Sequence, residues 1–143
     1  MKRALAGLSG VCLIAGPLTA LAADYRFETA SPDPTRGVAT TIVVKVAPVD
    51  SGRIMPRLSA RDAMVSSTSG RGTAVFPAFF EPSLDYDRLR FRADLPTSGD
   101  WVLAFTLQPA GEPPKAASIN LKVADPPPVA AASPATGPVR PPR

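Results

Sequence analysis

Beyond residue 22 the chain carries neither cysteine nor histidine, since its single Cys is Cys12 and it has no His at all. Thiol nucleophiles, imidazole bases, disulfides and the usual zinc sites are therefore excluded from that part. The side chains left to do chemistry are methionines, carboxylates, hydroxyls and lysines. Met55 and Met64, nine residues apart, are the soft donors. Thioethers suit Cu(I), especially in an oxidising compartment where free thiols do not persist. Two of them form an incomplete site, and a third ligand would be a carboxylate or backbone oxygen, a poor match for a soft ion. As packing, methionine is an ordinary filler of irregular gaps.

Glu81, Asp85 and Asp87, grouped around Tyr86, could hold a hard cation such as Ca²⁺. Their spacing lacks the glycine and closing glutamate of a helix-loop-helix calcium site, so they read as solvated loop charges. Hydrolysis by paired carboxylates needs no histidine and would draw on Asp62, Glu81, Asp85 or Asp87. A small domain with short turns leaves little room for a substrate cleft. Ser66, Ser67 and Ser69 have no histidine to activate them, and Lys45, Lys115 and Lys122 have no recognisable serine partner. With no nucleophile, general base or phosphate-cradling glycine loop legible, the chain reads as non-enzymatic.

Arg88, Arg90 and Arg92 alternate, which puts three guanidinium groups on one face of one strand. They could dock an acidic partner or lipid headgroups, or pair with acids such as Asp94 and neighbours on the next strand. Phe76, Phe79 and Phe80 read as core, and as a contact surface only if their segment is exposed.

The elements that position these residues are strands. In residues 88–95 every second residue is apolar and the others are charged, the pattern of a strand with one buried and one wet face. The same alternation turns Trp101, Leu103, Phe105 and Leu107 inward, and likewise Ile119, Leu121 and Val123. Residues 25–28 make a short first strand and residues 38–47 a longer one, with Ile42, Val44 and Val46 on a common face. Turn residues at 31–34, 50–52, 96–99 and 109–114 separate these runs. Between residues 51 and 82 the spacing predicts a strand over 57–64 whose odd members face out, a Ser/Gly loop over 66–73, and an edge strand over 75–80 broken at Pro77. Short strands at this spacing imply an all-β sandwich spanning residues 23–124.

The two termini differ from the domain. Lys2-Arg3, the apolar run that follows and Ala20-Leu21-Ala22 have the form of a secretory signal over residues 1–22. Gly7, Gly10, Gly16 and Pro17 weaken the competing reading, an uncleaved membrane anchor. Association with the membrane follows only if that segment is retained. Cleavage places the domain in the periplasm and lowers 16 basic residues to 14, against 12 acidic ones. Arginines interspersed with acids give no footprint for nucleic acid. Residues 125–143, rich in Pro and Ala, cannot bury enough surface to order themselves and read as a disordered tail.

The opening Asp24-Tyr25-Arg26-Phe27-Glu28 begins the segment that carries a resemblance. It continues in Leu89-Arg90-Phe91 through Gly99-Asp100-Trp101-Val102-Leu103 and in Gly111-Glu112-Pro113 through Ile119-Asn120-Leu121-Lys122-Val123. Together these resemble the small periplasmic domains of the FixH and YtkA-like group, nearest to members that accompany heavy-metal efflux systems of the resistance-nodulation-division type. The resemblance implies an immunoglobulin-like β-sandwich of about seven strands and a role as an accessory domain in the efflux or homeostasis of copper or another heavy metal. Its partners would be periplasmic or membrane efflux proteins. The family carries a methionine-rich loop after the second strand, where this sequence has only Met55 and Met64. That departure keeps open an alternative: a general periplasmic interaction module with no metal role.

Overall fold

The computed structural model describes residues 21–22, 24–30, 32–70 and 72–129. The signal expected over residues 1–22 lies outside them except for Leu21–Ala22, and so does the tail beyond residue 129. The described strands are β1 (Leu21–Ala22), β2 (Tyr25–Thr29), β3 (Gly37–Pro48), β4 (Leu58–Ser67), β5 (Val75–Glu81), β6 (Arg88–Leu95), β7 (Gly99–Pro109) and β8 (Lys115–Val123). Among the described residues there is no helix, as expected of a chain with 18 prolines that interrupt the intrahelical ladder.

All strand pairs are antiparallel, in the order β1-β2-β3-β6-β5-β4-β7-β8. This continuous order folds into two layers because β5 belongs to both. Its first half pairs with β4, through Ser66 opposite Val75 and Met64 opposite Pro77. Its second half pairs with β6, through Ala78 opposite Ala93 and Glu81 opposite Arg90. One layer is thus β2-β3-β6 with the end of β5, and the other is β4-β7-β8 with its start. In immunoglobulin terms these are the A-B-E-D and C-F-G sets.

Alternation along the strands fills the space between the layers. Tyr25 and Phe27, Ile42 to Val46, Leu89 to Leu95, Trp101 to Leu107 and Ile119 to Val123 supply the buried set. Phe105 links the layers, with its ring centroid 5.5 Å from Phe27 and 5.1 Å from Phe91. Trp101 packs on Phe76 at 6.1 Å and donates its indole N–H to Thr97 O at 3.1 Å. A buried tryptophan needs such a partner for its polar end.

Three expectations for residues 51–82 are corrected. First, the odd residues of β4 face out only as far as Arg61; Ala63, Val65 and Ser67 are buried, and Met64 faces out. The cause is a β-bulge: Arg61 pairs with Thr106 and Met64 with Ala104, so β4 carries one extra residue. Asp62 absorbs it at φ 53°, a conformation that short polar side chains tolerate. Second, Ser66 and Ser67 belong to the strand and not to the loop after it. Third, Phe79 is 65% exposed, because Pro77 stands where β5 changes layers and the next residues take their facing from β6. Phe76 and Phe80 do pack on the core. The edge character of β5 holds for each half separately, since each pairs on one side only.

Candidate functional site

The division of β5 makes the two ends of the sandwich unlike. At one end lie residues 32–36, 68–70, 72–74, 96–98 and 124–129. Ala124 N–H donates to Pro34 O at 2.9 Å, and Arg36 N–H donates to Ala124 O at 2.8 Å. Thr68 N–H donates to Asp100 O at 3.0 Å, and Asp100 N–H donates to Ser69 Oγ at 3.0 Å. Ser67 Oγ donates to Ser69 O at 3.1 Å. Of the serines weighed as nucleophiles, Ser67 and Ser69 commit their hydroxyls to this turn, and Ser66 lies within β4. A hollow of about 500 Å³ bounded by Val38, Phe76, Pro96 and Pro126 lies at this end. Its charges are engaged: Arg36 pairs with Asp125 at 2.6 Å, and Asp94 Oδ1 accepts from Ala39 N–H at 2.7 Å.

At the other end, where residues 49–57, 82–87 and 110–114 connect the strands, β4 and β5 have separated. A groove of about 440 Å³ opens in the fork. Leu58 and Ser59 at the start of β4 form one wall, Phe80 and Pro82 the other, and Pro109 and Ala110 close the side toward β7. Arg57, Arg88 and Asp85 bring charge to its rim. Leu84 is 92% exposed and Tyr86 67%, so large apolar side chains stand in water beside it. Neither Arg57 nor Arg88 makes a side-chain hydrogen bond or ion pair among the described residues, whereas Arg92 on the same strand face as Arg88 pairs with Glu81 at 2.8 Å.

The turns around the groove are fixed by an ionic cluster that no local pattern announced. Lys115 donates to Asp24 and, at 3.0 Å, to Glu112 Oε2. Glu112 Oε1 accepts from Arg53 and from the Tyr25 hydroxyl, the latter at 3.1 Å. Both cations lie over the Tyr25 ring, Lys115 Nζ at 5.2 Å and Arg53 Cζ at 5.6 Å from its centroid, a favourable position on the negative face. Hydrogen bonds from Lys115 hold the carboxyls of Asp24 and Glu112 below their ordinary range, and the same bonds raise Lys115. Burial, then the bond to Glu112, pushes the Tyr25 hydroxyl up. The cluster ties β2 to the β7–β8 turn and to the loop ahead of β4. Its partners are 87 and 91 residues apart for Tyr25–Glu112 and Asp24–Lys115; only Glu112 and Lys115, three apart, offered a local hint.

The other candidate residues are dispersed. Met55 packs against the core at the loop before β4, while Met64 projects from the outer face beyond the bulge, so the two thioethers do not converge. Glu81 is engaged by Arg92, and Asp62 lies 3.5 Å from Arg61. Asp85 and Asp87 are exposed loop residues. No group of three His, Cys, Asp or Glu side chains converges among the described residues. Lys45 and Lys122 are exposed on the outer faces of β3 and β8. Comparison of the chain with protein-family models, with curated proteins and with solved structures returned no match.

Proposed function

We propose that this chain is a non-enzymatic interaction domain of the periplasm that serves a heavy-metal efflux or homeostasis system by contact and not by turnover. One observation carries the contact reading: Arg57 and Arg88, neither in an ion pair among the described residues, flank a groove of mixed polar and apolar lining whose apolar part is Leu58, Phe80, Pro82, Leu84 and Pro109, on a frame held rigid by a two-layer core. Unpaired guanidinium groups beside exposed apolar surface suit recognition of a partner that brings carboxylates. The metal setting, with an efflux protein as partner, rests on the resemblance described above. Any Cu(I) contact would fall to Met55 or Met64 singly, since they stand apart. That separation favours the second reading, a periplasmic interaction module without a metal role.

A deletion strain of the organism that carries the gene, plated on copper and silver salts, tests both. Increased sensitivity, restored by the wild type but not by an Arg57→Glu/Arg88→Glu double variant that folds normally, is the expected result. Unchanged metal tolerance selects the second reading. Full rescue by the charge-reversed variant removes the groove as the contact surface.

A further inference from the structure

We infer that the fork between β4 and β5 binds a short, extended peptide segment of a partner protein, with carboxylates on either side of an apolar anchor, as an added strand at Leu58. The inference rests on the interaction reading above and names the chemistry of its partner.

The backbone supplies the first argument. Ala110 N–H donates to Arg57 O at 2.9 Å, so Arg57 addresses its polar groups to β7. In an antiparallel ladder successive residues point their amides to opposite sides, so Leu58 turns its N–H and C=O away from β7, toward the fork. β5 does not take them up, because its pairing with β4 reaches only as far as Met64 opposite Pro77. A strand edge left without a neighbour is a template for an extended segment, with backbone bonds supplying affinity and side-chain pockets supplying selectivity.

The side chains define what that segment carries. Along an added strand, alternate residues face opposite sides. One set would turn inward onto Leu58, Phe80 and Pro109, which asks for an aliphatic or aromatic anchor. The flanking residues would turn outward within reach of Arg57 and Arg88, which asks for carboxylates. Asp85 is the one acid on the rim, and it opposes such a ligand from its own side. Ala60 and Ala78 are nearly fully buried and close the fork two residues further in. The bound segment is therefore short, about three to five residues, and its affinity modest.

The test uses a fluorescein-labelled octapeptide of alternating Glu and Val with blocked ends, titrated into the purified domain by anisotropy. Three control peptides accompany it, one with Lys for Glu and two N-methylated on alternate amides, one in each of the two registers. Saturable binding is expected, weakened at least tenfold by Lys, at least tenfold by N-methylation in one register, and at least tenfold by Arg57→Glu/Arg88→Glu. Asp85→Asn should strengthen it severalfold. Bound peptide should slow hydrogen exchange of the Leu58 amide while leaving Ser59 unchanged.

Binding that ignores N-methylation and leaves Leu58 unprotected overturns strand addition while the interaction reading stands. Equal binding of the Lys peptide overturns the acidic specificity. Failure of the Glu-Val peptide to bind overturns this inference, and the interaction reading is then judged by whether the charge-reversed variant still complements the deletion.

Discussion

The two ends of this sandwich hold their layers together by different physics. Where Thr35 and Ala124 form a parallel bridge, backbone hydrogen bonds and a buried indole join the layers, and these are insensitive to salt and to pH near neutrality. At the forked end the layers part, and the loops are positioned by Asp24, Arg53, Glu112 and Lys115 around the Tyr25 ring. Ion pairs that remain partly open to water contribute modestly and are weakened by salt. A domain built this way ties its layers together at one end and leaves them parted at the other.

The sharpest way to break that contrast is Trp101→Ala. The ring is 1% exposed, and its loss also removes the bond to Thr97 and the packing on Phe76. Truncating such a side chain costs about 3–5 kcal/mol, a large part of the stability of a domain this size. Urea denaturation should show it, with the same loss at low and high salt.

Gly99→Ala probes the same end more gently. Gly99 has φ +119°, and a Cβ there would stand 3.0 Å from Ser69 Oγ. Strain of this kind costs about 1–3 kcal/mol, which should appear as a lower urea midpoint with an unchanged slope. A neutral outcome would show that this turn tolerates strain and is not the tight tie described.

At the forked end, Lys115→Met should produce a smaller drop in melting temperature that depends on conditions. Asp24 and Glu112 titrate below their unfolded values of about 4, so their contribution is full above that pH and is lost as pH falls through the folded values. Lys115 and Tyr25 titrate above their unfolded values of about 10, so theirs is full below that pH and lost as pH rises through the folded values. The gap between variant and wild type should be widest between about pH 5 and 9. It should narrow on both flanks and in high salt. A gap that stays constant with pH and salt would mean that Lys115 acts through packing alone.

These predictions also mark what the sequence could disclose. β6 was legible because it separates apolar from charged residues at a strict period of two, and burial follows that alternation without exception from Arg88 to Leu95; β7 and β8 were legible because their bulky apolar residues recur at every second position. Pro77 signalled that its strand was not central. What stayed hidden was that β5 would be shared, since pairing partners are set by layers that assemble from distant segments. The bulge at Asp62 was equally silent, as one inserted residue changes the facing of Ala63 to Ser67 without altering composition. Of the candidate site, Arg88 was singled out for its alternation with Arg90 and Arg92, but Arg57 and the groove were not. They are created by the fork, which exists only once β5 has crossed.

The unpaired start of β4 has a consequence for the chain in isolation. Two copies meeting edge to edge at Leu58 could template one another, the route by which β proteins oligomerise and form fibrils. Such a pairing would bring Arg57 and Arg61 of one copy close to the same arginines of the other, and the kink at Asp62 would stop the shared ladder after a few residues. Like-charge repulsion and a short register together act as a guard against self-association, and they do so without closing the edge to a ligand of opposite sign.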